Sequence, residues 1–100
     1  MFIGIGRYEL FIPASGSLKD KRQVLRSVIN VVQKKFNVAI AEVEHQELWQ
    51  RAALGVSCVA STSGHCVEVL DEVERTIVKM AVPSAEVVDR TTWIRSLEDL

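Results

Sequence analysis

The hydrophobic repeat of this chain switches between two and about 3.6 residues in a fixed order, and that order limits the fold more than any other feature. From Phe2 to Ile12 the alternation is strand-like, with Phe2, Gly4, Gly6, Tyr8, Leu10 and Ile12 on one face and Ile3, Ile5, Arg7, Glu9 and Phe11 on the other. The first set is the more uniformly apolar and is expected to face the core. Pro13 and Gly16 close the strand. From Leu18 to Phe36 the repeat is helical: Leu18, Leu25, Val28, Ile29, Val32 and Phe36 form one arc, and Asn37 offers a C-cap. "VAIAEVE" (38–44) and "RAALGVSCVA" (51–60) are strands joined by the polar "HQELWQ". "STSG" (61–64) supplies turn and cap residues. Cys66, Leu70, Val73, Ile77 and Met80 then repeat at helical spacing until Pro83, and "AEVVDRTTWIRS" (85–96) is a β-branched fourth strand.

The order β-α-β-β-α-β contains two βαβ halves. Right-handed crossovers in both give an α+β, ferredoxin-like fold: a four-stranded antiparallel sheet with both helices on one face. The 100 residues read as a single domain (1–100), and at 48% hydrophobic they can bury a core without disulfides or metals. No apolar run is long enough for a bilayer, and "MFIGIGRYELFIP" reads as a strand and not a signal peptide. Cys58 and Cys66, the only cysteines, form no CxxC, so a reducing cytoplasm is the expected location and both thiols are expected in the core.

Net charge is −1, but its distribution is uneven. Residues 1–36 hold seven Lys/Arg against two Asp/Glu, and residues 37–100 hold five against eleven. The cations concentrate in "SGSLKDKRQVLRS" (15–27), where Ser17 and Asp20 have capping-box spacing while Lys19, Lys21 and Arg22 crowd a first turn that disfavours positive charge. On a helical wheel Lys19, Arg22 and Arg26 lie within about 60° of one another, continued by Asn30 and Gln33, and Arg22 repels Arg26 four residues on. A bound anion accounts for the pattern: the N–H groups of residues 18–20 with Ser17, Lys19, Lys21, Arg22 and Arg26 make a phosphate site, with Arg7, Lys34, Lys35 and Arg51 as extensions. The competing account is a solvated face, with the Lys21 stem covering apolar surface and an acidic second helix (Glu68, Asp71, Glu72, Glu74) neutralising the first.

"YELFIPASGSLKDKRQVLRSVI" (8–29) and "FNVAIAEVEHQELWQRAALGV" (36–56), in this element order, resemble the YlxP-like family of small bacterial proteins, long labelled a domain of unknown function. The resemblance spans nearly the whole chain and is weakest after residue 60. It implies a ferredoxin-like fold, a gene neighbourhood beside ribosome-binding factor A, and a role in ribosome assembly or rRNA maturation. The expected partner is therefore a ribosomal subunit or structured rRNA, and no catalytic residue comes with the family.

Other motifs carry less. "GIG" (4–6) lacks a third glycine before a helix, and "SGSLK" lacks phosphate-loop spacing. Glu42, Glu44, His45 and Glu47 form an acidic cluster in which Glu42 and Glu44 share a strand face, and Arg51 is a candidate partner for one of them. A partner-binding or structural role is favoured there over a metal site. With no nucleophile–base pair assembled, no enzyme and no cofactor are expected. Trp49 is either a partner anchor or a cap on the sheet end. Ile3, Ile5, Phe11 and Trp93 are expected on the uncovered sheet face, where Arg7 and Glu9 could add self-complementary charges. That face is the basis of the alternative function, a self-associating homodimeric module without a nucleic-acid role. The third strand has no aromatic residue, so base stacking on the sheet is disfavoured.

Overall fold

The computed structural model describes residues 1–99. Its elements are β1 (Phe2–Phe11), α1 (Leu18–Lys35), β2 (Ala39–Glu44), β3 (Arg51–Ala60), α2 (Ser63–Ala81) and β4 (Glu86–Ser96), followed by a short 3-10 turn, Leu97–Asp99. The sheet order is β2-β3-β1-β4 with every pair antiparallel. The ferredoxin-like fold read from the hydrophobic repeats is therefore the fold of the molecule.

The core lies between the sheet and the two helices. Tyr8, Leu10 and Ile12 from the first strand segment meet Leu54, Val56 and Cys58 from β3, Leu25, Val28 and Val32 from α1, and Cys66, Leu70, Val73 and Ile77 from α2. Gly4 is needed for this contact, because a Cβ there would stand 2.9 Å from Cys58 Sγ and 3.2 Å from both Cys66 Cβ and a Leu70 methyl. Burial pushes the Cys58 thiol up to about 11. Gly6 instead leaves room for the ring of Tyr8, whose hydroxyl donates to the Leu70 carbonyl at 3.0 Å.

Two sequence expectations need correction. α1 ends on Phe36 in extended conformation, with its N–H donating to the Val32 carbonyl at 2.9 Å, so Asn37 does not provide a left-handed cap. Residues 42–44 do not alternate simply either. A bulge at Val43 shifts the β2–β3 register between Glu42 and Glu44, so Glu42 faces the helices and Glu44 the open side of the sheet. Val43 lies over Gly55, where a Cβ would come within 2.7 Å of its methyl group.

Candidate functional site

The first turn of α1 serves the fold before it serves any ligand. The Ser17 hydroxyl accepts from the Asp20 N–H, and Asp20 Oδ2 accepts from the Gly16 N–H, each at 3.0 Å. One of the N–H groups expected to hold a phosphate is thus engaged, and the positive pole of the helix already faces a carboxylate. The Ser17 hydroxyl oxygen is taken as an acceptor, and its proton remains to donate.

Lys21 corrects the phosphate assignment directly, for it is fully buried. Its ammonium lies 2.8 Å from the His45 carbonyl, 3.2 Å from the carbonyls of Gln46 and Arg51, and 2.8 Å from Glu42 Oε2. Four oxygens surround three protons, so the carbonyls take the hydrogen bonds and Glu42 is held as an ion pair. Lys21 therefore fastens α1 to the β2–β3 hairpin and cannot reach a solvent anion. The sequence carried a sign of this: Lys21 precedes Leu25 by four and Val28 by seven residues, which places it within the apolar arc.

Lys19, Arg22 and Arg26 remain exposed, as the wheel predicts. Arg22, Leu25, Arg26, Ile29 and Asn30 line a groove of about 270 Å³ whose far wall is Glu42. Elsewhere arginines have partners: Arg7 with Glu44 and Glu9, Arg51 with Glu9, Arg75 with Glu72, and Arg90 with Asp71 and Glu74. Arg95 stacks 4.5 Å over Trp93. Among the described residues, only Arg22 and Arg26 of the seven arginines have neither a carboxylate within 4.0 Å nor an aromatic partner. No ion pair joins the two helices among the described residues, and the carboxylates of α2 pair with Arg75, Arg90 and His65. Lys34 and Lys35 lie in the last turn of α1, where they complement the dipole, and Lys35 reaches Thr76 at 3.5 Å.

Arg7 and Arg51 do not extend this stripe, for they lie on the opposite face of the sheet. Arg7 meets Glu44 at 2.8 Å and Glu9 at 3.2 Å, while Arg51 meets Glu9 at 2.9 Å and sits 5.5 Å over Phe11. His45 Nε2 completes the network 3.0 Å from Glu9. The hydrogen bond to His45, then that to Arg7, holds the Glu9 carboxyl below the usual carboxylate range, and Arg7 does the same for Glu44. Arg7 and Glu9 are thus matched within the chain and do not need a second copy. Arg51 pairs with Glu9 and not with the hairpin acids. Because of the Val43 bulge, Glu42, Glu44 and His45 do not converge on one site. His45 itself has a left-handed backbone (φ 66°), which turns its carbonyl to Lys21 and its ring to Glu9.

On the open face Ile5 stands opposite Trp93, and Ile3 opposite Arg95. Ile5 and Trp93 are 49% and 57% exposed, enough for an apolar strip beside the charged network. Ile3 and Phe11 are half-buried on the same face. Trp49 is 55% exposed on the loop between β2 and β3. No helix among the described residues is long and apolar enough to cross a membrane.

Residues 3–92 match the sequence model of a family described as "Protein of unknown function (DUF503)". The chain is 38% identical over 93 residues to an uncharacterized protein, YlxP, of Bacillus subtilis (strain 168), covering 91% of this chain and 98% of that one. In fold it is similar to a de novo designed protein with ferredoxin fold solved by NMR (TM-score 0.53, 15% identity, 96% of this chain and 86% of that one). It is likewise similar to a C-terminal segment of the alpha subunit of aIF2 from Pyrococcus abyssi (TM-score 0.54, 14% identity, 97% of this chain and 51% of that one). At these identities the two structures share a fold with this chain.

Proposed function

This chain belongs to the DUF503 family, and we propose that it is a non-enzymatic module that binds the phosphate backbone of structured RNA, as free rRNA or within a ribosomal subunit. Lys19, Arg22 and Arg26 would carry the phosphate contacts, with the Ser17 hydroxyl as a neutral donor beside them. The observation that supports this reading is that Arg22 and Arg26 stay unpartnered while the other arginines are matched. Two arginines four residues apart on one helix face repel each other, and no ion pair among the described residues repays that cost. They are about 6 Å apart along the helix axis, a spacing that suits neighbouring phosphates of one strand. Arginine's planar fork also matches phosphate geometry. The ribosomal character of the RNA rests on the family resemblance.

Co-sedimentation with ribosomal subunits, and binding to structured rRNA fragments, test this across a salt series. Retention at low salt that disappears at high salt is the expected result. Absence of binding at low salt overturns the proposal.

A second reading is favoured by one observation, the exposed Ile5–Trp93 pair on the uncovered sheet face. In this reading the face joins two copies of the chain, and it is compatible with RNA bound on the helix side.

A further inference from the structure

The loop between β2 and β3 exposes a tryptophan on a backbone tied at His45, Gln46, Leu48, Gln50 and Arg51. Trp49 and its neighbour Leu48 are 55% and 48% exposed. Beneath them Lys21 binds the carbonyls of His45, Gln46 and Arg51, and the Leu48 N–H donates to the His45 carbonyl at 2.9 Å. Gln50 adds three further ties: its carbonyl accepts from the Ile12 N–H at 2.9 Å, and its Nε2 donates to the carbonyls of Pro13 at 3.0 Å and Ser15 at 3.4 Å. A side chain presented from so fixed a loop loses little conformational entropy when it is covered.

We propose that Trp49 stacks on an unpaired nucleobase of the RNA whose phosphates lie along Arg22 and Arg26. This rests on the RNA-binding reading above and adds the class of substrate, a single-stranded or looped-out nucleotide and not a continuous duplex. Three observations converge on it. Residues Glu47 to Arg51 form a shallow, open surface on which a planar base can lie. Lys21 joins this loop to the turn of α1 that carries Arg22, and Glu42, its ion-pair partner, forms the far wall of the arginine groove. The loop is therefore fastened to the same end of α1 that carries the cationic stripe. Finally, unmatched cations on the helix to which an exposed aromatic ring's loop is tied suit a nucleotide better than an apolar peptide, since a base offers a π face flanked by anions. Glu47, also on the loop surface, repels phosphate, which directs the base and not the backbone onto the loop. A paired A-form helix shows no free base face, so the target must be unpaired.

Trp49 fluorescence in a Trp93→Phe chain tests this against three RNA probes: an eight-residue single strand, a stem with a looped-out base, and a blunt duplex. The first two should quench Trp49 saturably and the duplex should not. Trp49→Ala should weaken binding of the first two probes about 5- to 100-fold, as loss of one aromatic stack does, while duplex affinity and the salt slope stay unchanged. RNA that binds without quenching, or equally well to Trp49→Ala, overturns the stacking proposal and leaves the tryptophan to a protein partner. RNA that fails to bind either chain at low salt overturns the underlying phosphate reading instead.

Discussion

The Lys21 ammonium and the Glu42 carboxylate meet 2.8 Å apart beneath the β2–β3 hairpin, and the lysine side chain is only 1% exposed. Removing the cation strands the acid and three carbonyls together. Lys21→Met is expected to cost about 3–5 kcal/mol, as breaking a buried pair from one side does. Urea unfolding measures the loss. Where the variant is still folded, the salt slope of RNA binding should match the unaltered chain, because this ammonium never faces solvent.

Lys21 also marks where sequence reading stopped. The order of strands and helices is legible because the long segments each keep a single period over ten or more residues, from Phe2–Ile12 to the Cys66–Met80 repeat. The exposed stripe of Lys19, Arg22 and Arg26 followed from the same wheel. A lysine inside the apolar arc reads by its charge as a phosphate ligand and by its position as a stem over apolar surface, and its spacing from Leu25 and Val28 favours the second. Glu42 and Glu44 were assigned one face because alternation is the default for a strand, and the Val43 bulge has no clear one-sequence signature. The Glu9–Arg51 pair depends on the register of β1 against β3, in which Glu9 faces Ala53 and Phe11 faces Arg51. No local pattern encodes that register.

Gly4 and Gly64 should respond in opposite senses to alanine. At Gly4 the new methyl meets Cys58, Cys66 and Leu70 at 2.9–3.2 Å, so α2 must back away, at a cost of about 1–3 kcal/mol. At Gly64, in the first turn of α2, nothing lies within 4 Å, and the restricted unfolded chain should add about 0.4–1 kcal/mol of stability. Thermal melts of the two variants separate these effects.

Tyr8 gives the fold an alkaline limit. Burial, with a smaller contribution from Glu74, pushes its phenol from 10 up to about 12. Below pH 10 the phenol keeps its proton in both states. Between 10 and about 12 the unfolded chain releases it and the folded chain does not, so this contribution to stability declines as pH rises. Tyr8→Phe should cost about 1 kcal/mol at neutral pH through the lost bond to Leu70. That difference should shrink across the alkaline window in parallel denaturation curves.

Trp93→Arg tests the open sheet face. It places a third cation near Arg7 and Arg95, on the strip where Ile5 and Trp93 would meet a second copy. Light scattering of the unaltered chain should show mass rising with concentration toward a dimer, and the variant should remain monomeric. A dimer that survives the change excludes this face as the interface.

The cations of α1 carry the functional account, and the most direct measurement is RNA affinity across a salt series for the unaltered chain and for Arg22→Glu/Arg26→Glu. Three phosphate contacts predict that log K falls with log salt at a slope of about −2 to −3. The double variant should lose nearly all low-salt affinity for structured rRNA while its stability stays within about 0.5 kcal/mol per substitution, since both positions are exposed. Equal affinity and equal slope in the two chains would contradict the account.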